Sequence, residues 1–169
     1  MTSLGVYVQV PFCQTKCTYC NFHTGVVSAA RFAPYVDAVC AEIGGYRESY
    51  ASAGVALPAV IAGAVVDSVY IGGGTPSLLE PADLRRMVDA IRAAFATDLR
   101  EVTLEADPET ITAEKAEAWV AAGIRRVSFG VQSFCDAELQ AAGRMHRRAD
   151  VYRAVPVLRA AGIDRKSVV

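Results

Sequence analysis

The sequence is poor in the features that would place it in several large classes. Its 169 residues carry a net charge of −1, so there is no basic surplus to neutralise phosphates and no nucleic-acid partner is expected. Long hydrophobic runs are missing as well. The longest uncharged stretch, Ser49–Val66, has 18 residues, is mostly alanine and other small residues, and is interrupted by Gly54, Pro58 and Gly63. It is too short and too broken for a membrane span. No basic region followed by an apolar run opens the chain, so no secretory signal is expected. Internal repeats, low-complexity segments and linkers are absent too. An even, dispersed set of cysteines is also lacking: there are five, and Cys13, Cys17 and Cys20 crowd into eight residues. That count and clustering argue against a secreted disulfide framework and for metal or redox chemistry in the reducing cytoplasm.

What the chain does contain is enough apolar material for one folded domain, with 53% hydrophobic and 21% charged residues. Strand-like and helix-like segments alternate. Gly5–Val10 reads as a strand, followed by the cysteine loop. Phe32–Tyr50 carries Tyr35, Val36, Val39, Cys40 and Ile43 at helical spacing, and Ala51–Ala64 reads as a loop. Val65–Ile71 is a second strand, stopping at Gly72-Gly73-Gly74, and Pro81–Phe95 is a helix with proline in its first turn. Glu101–Ala106 and Arg125–Val131 are strands three and four. Thr112–Ala122, Asp136–Ala142 and Asp150–Ala161 are helices, the first and third ended by Gly123 and Gly162. From Ile163 only seven residues remain, and a complete fifth strand is not expected. Four βα units imply an α/β fold with a parallel sheet and right-handed crossovers.

Ligands of such folds sit at the carboxyl ends of the strands. The cysteine loop follows strand one, the Gly72–Thr75 turn follows strand two, Glu105 ends strand three, and Gln132 and Ser133 follow strand four. All the unusual chemistry therefore converges on one rim. Three thiolates at C-x3-C-x2-C spacing can hold three irons of a [4Fe–4S] cube and leave the fourth open to a small molecule. The alternative from the residues alone is a zinc site completed by His23, three residues after Cys20. Cys40 and Trp119, at helical spacing, are expected to pack. Cys135 is expected to be structural and His146 to lie on the surface.

The segments "YVQVPFCQTKCTYCNF", "YIGGGTPSLL", "EADPET", "GIRRVSFGVQSF" and "GRMHRRAD" together resemble the radical S-adenosylmethionine superfamily. Their order and spacing are similar to the oxygen-independent coproporphyrinogen III oxidase-like family, and closest to its heme chaperone branch. The resemblance covers about Val6 to Asp164. It implies a partial (β/α)6 barrel. It implies a [4Fe–4S] cluster on Cys13, Cys17 and Cys20, whose open iron takes S-adenosylmethionine and cleaves it to methionine and a 5′-deoxyadenosyl radical. Carried over position by position, it implies that Tyr7, Tyr19, Gly73, Gly74, Thr75, Glu105, Gln132 and Arg144 contact the cofactor. Heme or a porphyrinogen, an electron donor and a heme-acceptor protein are the further partners it implies.

Three departures stand out. Gln9 stands where such proteins often have histidine, and Asp107 where asparagine is common. The C-terminal Arg165–Val169 does not resemble the family's strand five, so strands five and six, an aspartate on strand five and a C-terminal domain are expected to be absent. Asn21-Phe22 follows the last cluster cysteine, where the oxidase branch places a further cysteine and the chaperone branch does not. That favours a heme chaperone and leaves the oxidase as the second reading.

Overall fold

A computed structural model describes residues 2–168. Its strands and helices, in chain order, are β1 (Thr2–Val10), β2 (Phe12–Cys13), β3 (Gly25–Val26), α1 (Phe32–Gly44), α2 (Tyr46–Ser52), α3 (Ala59–Ala62), β4 (Ala64–Gly73), α4 (Pro81–Ala94), β5 (Ala96–Ala106), α5 (Ala113–Ala121), β6 (Arg126–Phe129), α6 (Asp136–Ala141), α7 (Arg148–Ala160) and β7 (Arg165–Val168). The main sheet runs β1-β4-β5-β6-β7, and every neighbouring pair in it is parallel. Each new strand adds beside the last, so the sheet winds in one direction as an incomplete barrel whose ends do not meet.

The helices form one layer in the same order: α1 packs on α4, α4 on α5, and α5 on α7. Pleating explains why only one sheet face is covered. Val8 and Val10, Val69 and Ile71, Val102 and Leu104, and Val127 and Phe129 all point to the helices and are buried. Helix α4 answers with Leu84, Met87, Val88 and Ile91, one helical face, all fully buried. Trp119 of α5 is fully buried among them. The opposite, concave face carries Tyr7, Ser68, Tyr70, Glu105 and Ser128 instead.

The expected elements are present, with four differences. The expected single helix over Phe32–Tyr50 is two, because Gly44-Gly45 interrupts it; glycine is a poor helix interior residue. The expected loop over Ala51–Ala64 contains the one-turn helix α3 and the last turn of α2. Strands β1 and β5 begin earlier than expected, each shifting register where it pairs with β4. Most important, the expectation of no fifth strand is corrected. Arg165–Val168 pairs with Arg126–Phe129 as β7, because an unpaired β6 edge offers backbone donors and acceptors that a four-residue segment can satisfy.

Candidate functional site

The site is built by backbone before side chains enter it. At the end of β4 the chain crosses under the cysteine loop. Gly74 N–H donates to the Val10 carbonyl at 2.7 Å and Thr75 N–H to the Phe12 carbonyl at 2.6 Å. Only glycine fits this crossing. A Cβ on Gly74 would lie 2.3 Å from the Phe12 oxygen and 2.9 Å from Cys13 Sγ. Gly73 has φ +119° and would press on Val10 in the same way. The cysteine loop is closed at its base by the β2–β3 pair and inside by Cys20 N–H to the Cys17 carbonyl at 3.1 Å. Its far side is tied to the end of α6 by Thr18 N–H to the Ala142 carbonyl, 3.3 Å.

A cavity of about 280 Å³ opens between these parts. Cys13, Cys17 and Cys20 line it together with Gly73, Gly74, Thr75, Glu105, Gln132 and Arg144. Tyr7 and Tyr19 also line it, so every site residue expected from the sequence meets here. His23 is exposed and does not line this cavity. All three cysteines are free and half-buried. Among the described residues no three His, Cys, Asp or Glu side chains converge as they would around a single metal ion. A cubane makes no such demand, since each thiolate binds a different iron. Three soft donors lining one cavity, with the Gly74 backbone close against Cys13, fit such a cluster.

Electrostatics of the wall are arranged in ion pairs. Arg144, 10% exposed, donates to Asp107 and, at 2.7 Å, to the Gly130 carbonyl. Its other nitrogen lies 3.4 Å from Cys17 Sγ. Burial alone would pull the guanidinium down; the Asp107 carboxylate and Cys17 outweigh it and hold its pKa above the usual arginine value. Asp107 also accepts from Thr75 Oγ1 at 3.2 Å. Glu105 is oriented from two sides, by Tyr70 Oη at 2.7 Å and Gly73 N–H at 2.9 Å. Tyr7 stacks on Tyr70 with centroids 5.7 Å apart. Burial, then the Glu105 charge, raises the Tyr7 phenol. Gln132 is the one non-glycine residue among those described with positive φ, +66°, a conformation held by its surroundings rather than by preference.

Three residues of this region escape a reading of the sequence. Asp107 is visible there only as a departure from asparagine. Tyr70 reads as an ordinary strand aromatic. His146 is corrected outright: it is fully buried, not on the surface. A basic run, Arg147-Arg148, hides it, and only the 3D return of that segment beneath Val131 shows its burial. Cys135 is exposed at the start of α6, and Cys40 is half-buried against the core.

A cleft lined by three cysteines on the carboxyl rim of an open parallel barrel has the donor set of a protein that holds a sulfur-ligated cofactor. The chain belongs to the radical SAM superfamily, whose family model matches residues 7–169. It is 30% identical to the heme chaperone HemW of Bacillus subtilis (strain 168), over 97% of this chain and 41% of that protein. It is 34% identical to the oxygen-independent coproporphyrinogen III oxidase of Bradyrhizobium diazoefficiens, over 95% of this chain and 34% of that protein. The solved coproporphyrinogen III oxidase HemN from Escherichia coli superposes with a TM-score of 0.82 at 26% identity, covering 99% of this chain and 36% of that one. The chain thus spans less than half the length of these relatives. Membership implies a [4Fe–4S] cluster and S-adenosylmethionine. No helix among the described residues is long and apolar enough to cross a membrane.

Proposed function

We propose that Cys13, Cys17 and Cys20 hold three irons of a [4Fe–4S] cluster and that the cavity beside them binds S-adenosylmethionine at the fourth. The observation that carries this reading is the meeting of the three sulfurs with the Gly73–Thr75 turn, Glu105, Gln132 and Arg144 around one cavity. When bound, the cluster supplies an electron to cleave the sulfonium of S-adenosylmethionine. The chain's own residues do the holding. The side-chain-free turn at Gly73–Gly74 lets a ligand approach backbone closely, Glu105 offers a fixed acceptor for hydroxyl groups, and Arg144, held by Asp107, lends positive charge to the wall. Tyr7 and Tyr19 wall the cavity with flat apolar surface.

The protein works in heme metabolism in the cytoplasm, as a chaperone that binds heme and passes it to an acceptor protein. Similarity to HemW over nearly the whole chain and the Asn21-Phe22 continuation support this. The second reading is decarboxylation of coproporphyrinogen III, supported by the likeness to HemN. An electron donor is needed in either case.

Anaerobic reconstitution with iron and sulfide tests the ligand set: broad visible absorbance is expected from the chain and not from Cys17→Ser. Unchanged absorbance in that variant would remove the assignment. Heme titration and a coproporphyrinogen III decarboxylation assay on the full-length gene product separate the two functions. Decarboxylation at catalytic rates would overturn the chaperone reading.

A further inference from the structure

His146 is a fully buried imidazole that the cofactor site does not use directly. Its Nε2 lies 3.0 Å from the Val131 carbonyl. A carbonyl only accepts, so Nε2 carries a hydrogen. Its Nδ1 faces Glu109 Oε2 at 3.7 Å, and both atoms are buried without a hydrogen-bond partner. Two lone pairs cannot face each other in that position. At 3.7 Å the two are too far apart for a hydrogen bond, so the contact is favourable only as an electrostatic one with a single proton on either side, a neutral carboxyl beside a neutral imidazole or an imidazolium beside a carboxylate. Both forms are neutral as a pair.

The position of this pair gives it a consequence. Val131 precedes Gln132, whose backbone is held at positive φ, and its carbonyl also accepts from Ser133 N–H at 2.8 Å. His146 follows Arg144 by two residues. The segment between is braced by Arg147, whose guanidinium donates to the carbonyls of Arg144 at 2.9 Å and His146 at 3.0 Å. Glu109 sits in the short turn that begins with Asp107, the partner of Arg144. Three loops that each carry a cavity residue thus meet at one ring.

We propose that His146 is a positioning residue: through the hydrogen bond it donates to Val131, with Glu109 facing its other ring nitrogen, it clamps the Gln132 turn to the Arg144 segment. Arg144, Asp107 and Asp150 are the charged groups acting on the ring. Burial lowers the imidazole and raises the Glu109 carboxyl, which favours the uncharged form of the pair.

The proposal rests on the reading of the cavity as a cofactor site only for its effect on ligand affinity. The clamp itself is tested on the 169-residue chain. Nitrogen NMR of the imidazole should show Nε2 protonated, and His146→Phe should speed exchange of the Ser133 and Gly130 amides about tenfold, the loss of one hydrogen bond. Amides of the central strand Ala64–Gly73 should stay within about twofold, whereas a merely structural loss would speed them all. His146→Gln, which restores a donor, should recover slow exchange, and Glu109→Gln, which keeps a neutral partner, should preserve it. Unchanged Ser133 and Gly130 exchange in His146→Phe, or an Nδ1-only protonated ring, would overturn the clamp. On the reconstituted chain His146→Phe should weaken S-adenosylmethionine binding about tenfold, and add nothing in a Gln132→Ala background. Full additivity there would overturn the positioning role. If the wild-type chain binds no S-adenosylmethionine, the cofactor reading fails while the exchange data still decide the clamp.

Discussion

Gly74→Ala is the sharpest perturbation of the site. The added methyl would stand 2.3 Å from the Phe12 carbonyl oxygen and 2.9 Å from Cys13 Sγ. A carbon–oxygen contact tolerates about 3.3 Å, so the shortfall is about 1 Å. Neither neighbour can yield freely. The Phe12 carbonyl accepts from Thr75 N–H, and Phe12 is wedged by Phe32 and Tyr35, with ring centroids at 4.8 and 4.9 Å. Relief must come from moving the cysteine loop away from the β4 turn. Overpacking of this kind costs about 1–3 kcal/mol, or ~2–12 °C of melting temperature for a chain of this size. It also displaces Cys13 by up to about 1 Å, a large fraction of a metal–sulfur bond of about 2.3 Å. Gly25→Ala in the same loop is the control, because nothing lies within 4 Å of its Cβ. The assay is thermal melting by circular dichroism, with iron content and visible absorbance after anaerobic reconstitution. Gly74→Ala should melt lower and load less iron, and Gly25→Ala should match the parent. Wild-type melting and loading in Gly74→Ala would refute the packing argument.

Trp119→Ala should cost about 3–5 kcal/mol by denaturant melting, since the indole is fully buried in the hydrophobic core. Asp107→Ala should cost about 1.5–3 kcal/mol by removing the carboxylate that balances the largely buried Arg144; an equal loss in 0.5 M salt would show that screening does not reach the pair. The His146 pKa is depressed below its ordinary 6.5 in the folded chain. The unfolded chain therefore takes up the proton first, and this contribution to stability is present above 6.5 and falls as pH drops below it toward the folded value. His146→Gln should flatten that part of the stability–pH curve, read by melting at closely spaced pH values.

Much of the fold is legible from local pattern. Alternating valines and leucines between turn signals mark β4, β5 and β6, and Leu84, Met87, Val88 and Ile91 mark α4 by period alone. The break at Gly44-Gly45 was legible in principle, as two adjacent poor helix formers. The fifth strand was not. Arg165–Val168 has no periodicity strong enough to announce itself, and it is a strand only because β6 lies beside it with an open edge. The site divides in the same way. Cys13, Cys17 and Cys20 declare themselves by spacing, and the Gly72–Thr75 turn by composition. Asp107, Tyr70 and His146 do not, because single polar residues on a rim, a strand or a basic run carry no local signature.

By itself the sequence determined the order of the first four strands of the sheet and of the main helices, the face each buries, and the clustering of three cysteines in one loop. Those properties follow from near neighbours: side-chain period, turn chemistry and thiolate spacing. Only the tertiary structure decided that Arg144 reaches both Cys17 and Asp107, that Tyr70 and Gly73 aim Glu105, and that His146 lies buried between Val131 and Glu109. These contacts join residues 15 to 127 positions apart. Their geometry is set by parallel strand register and by the return of the α6–α7 connection beneath the rim.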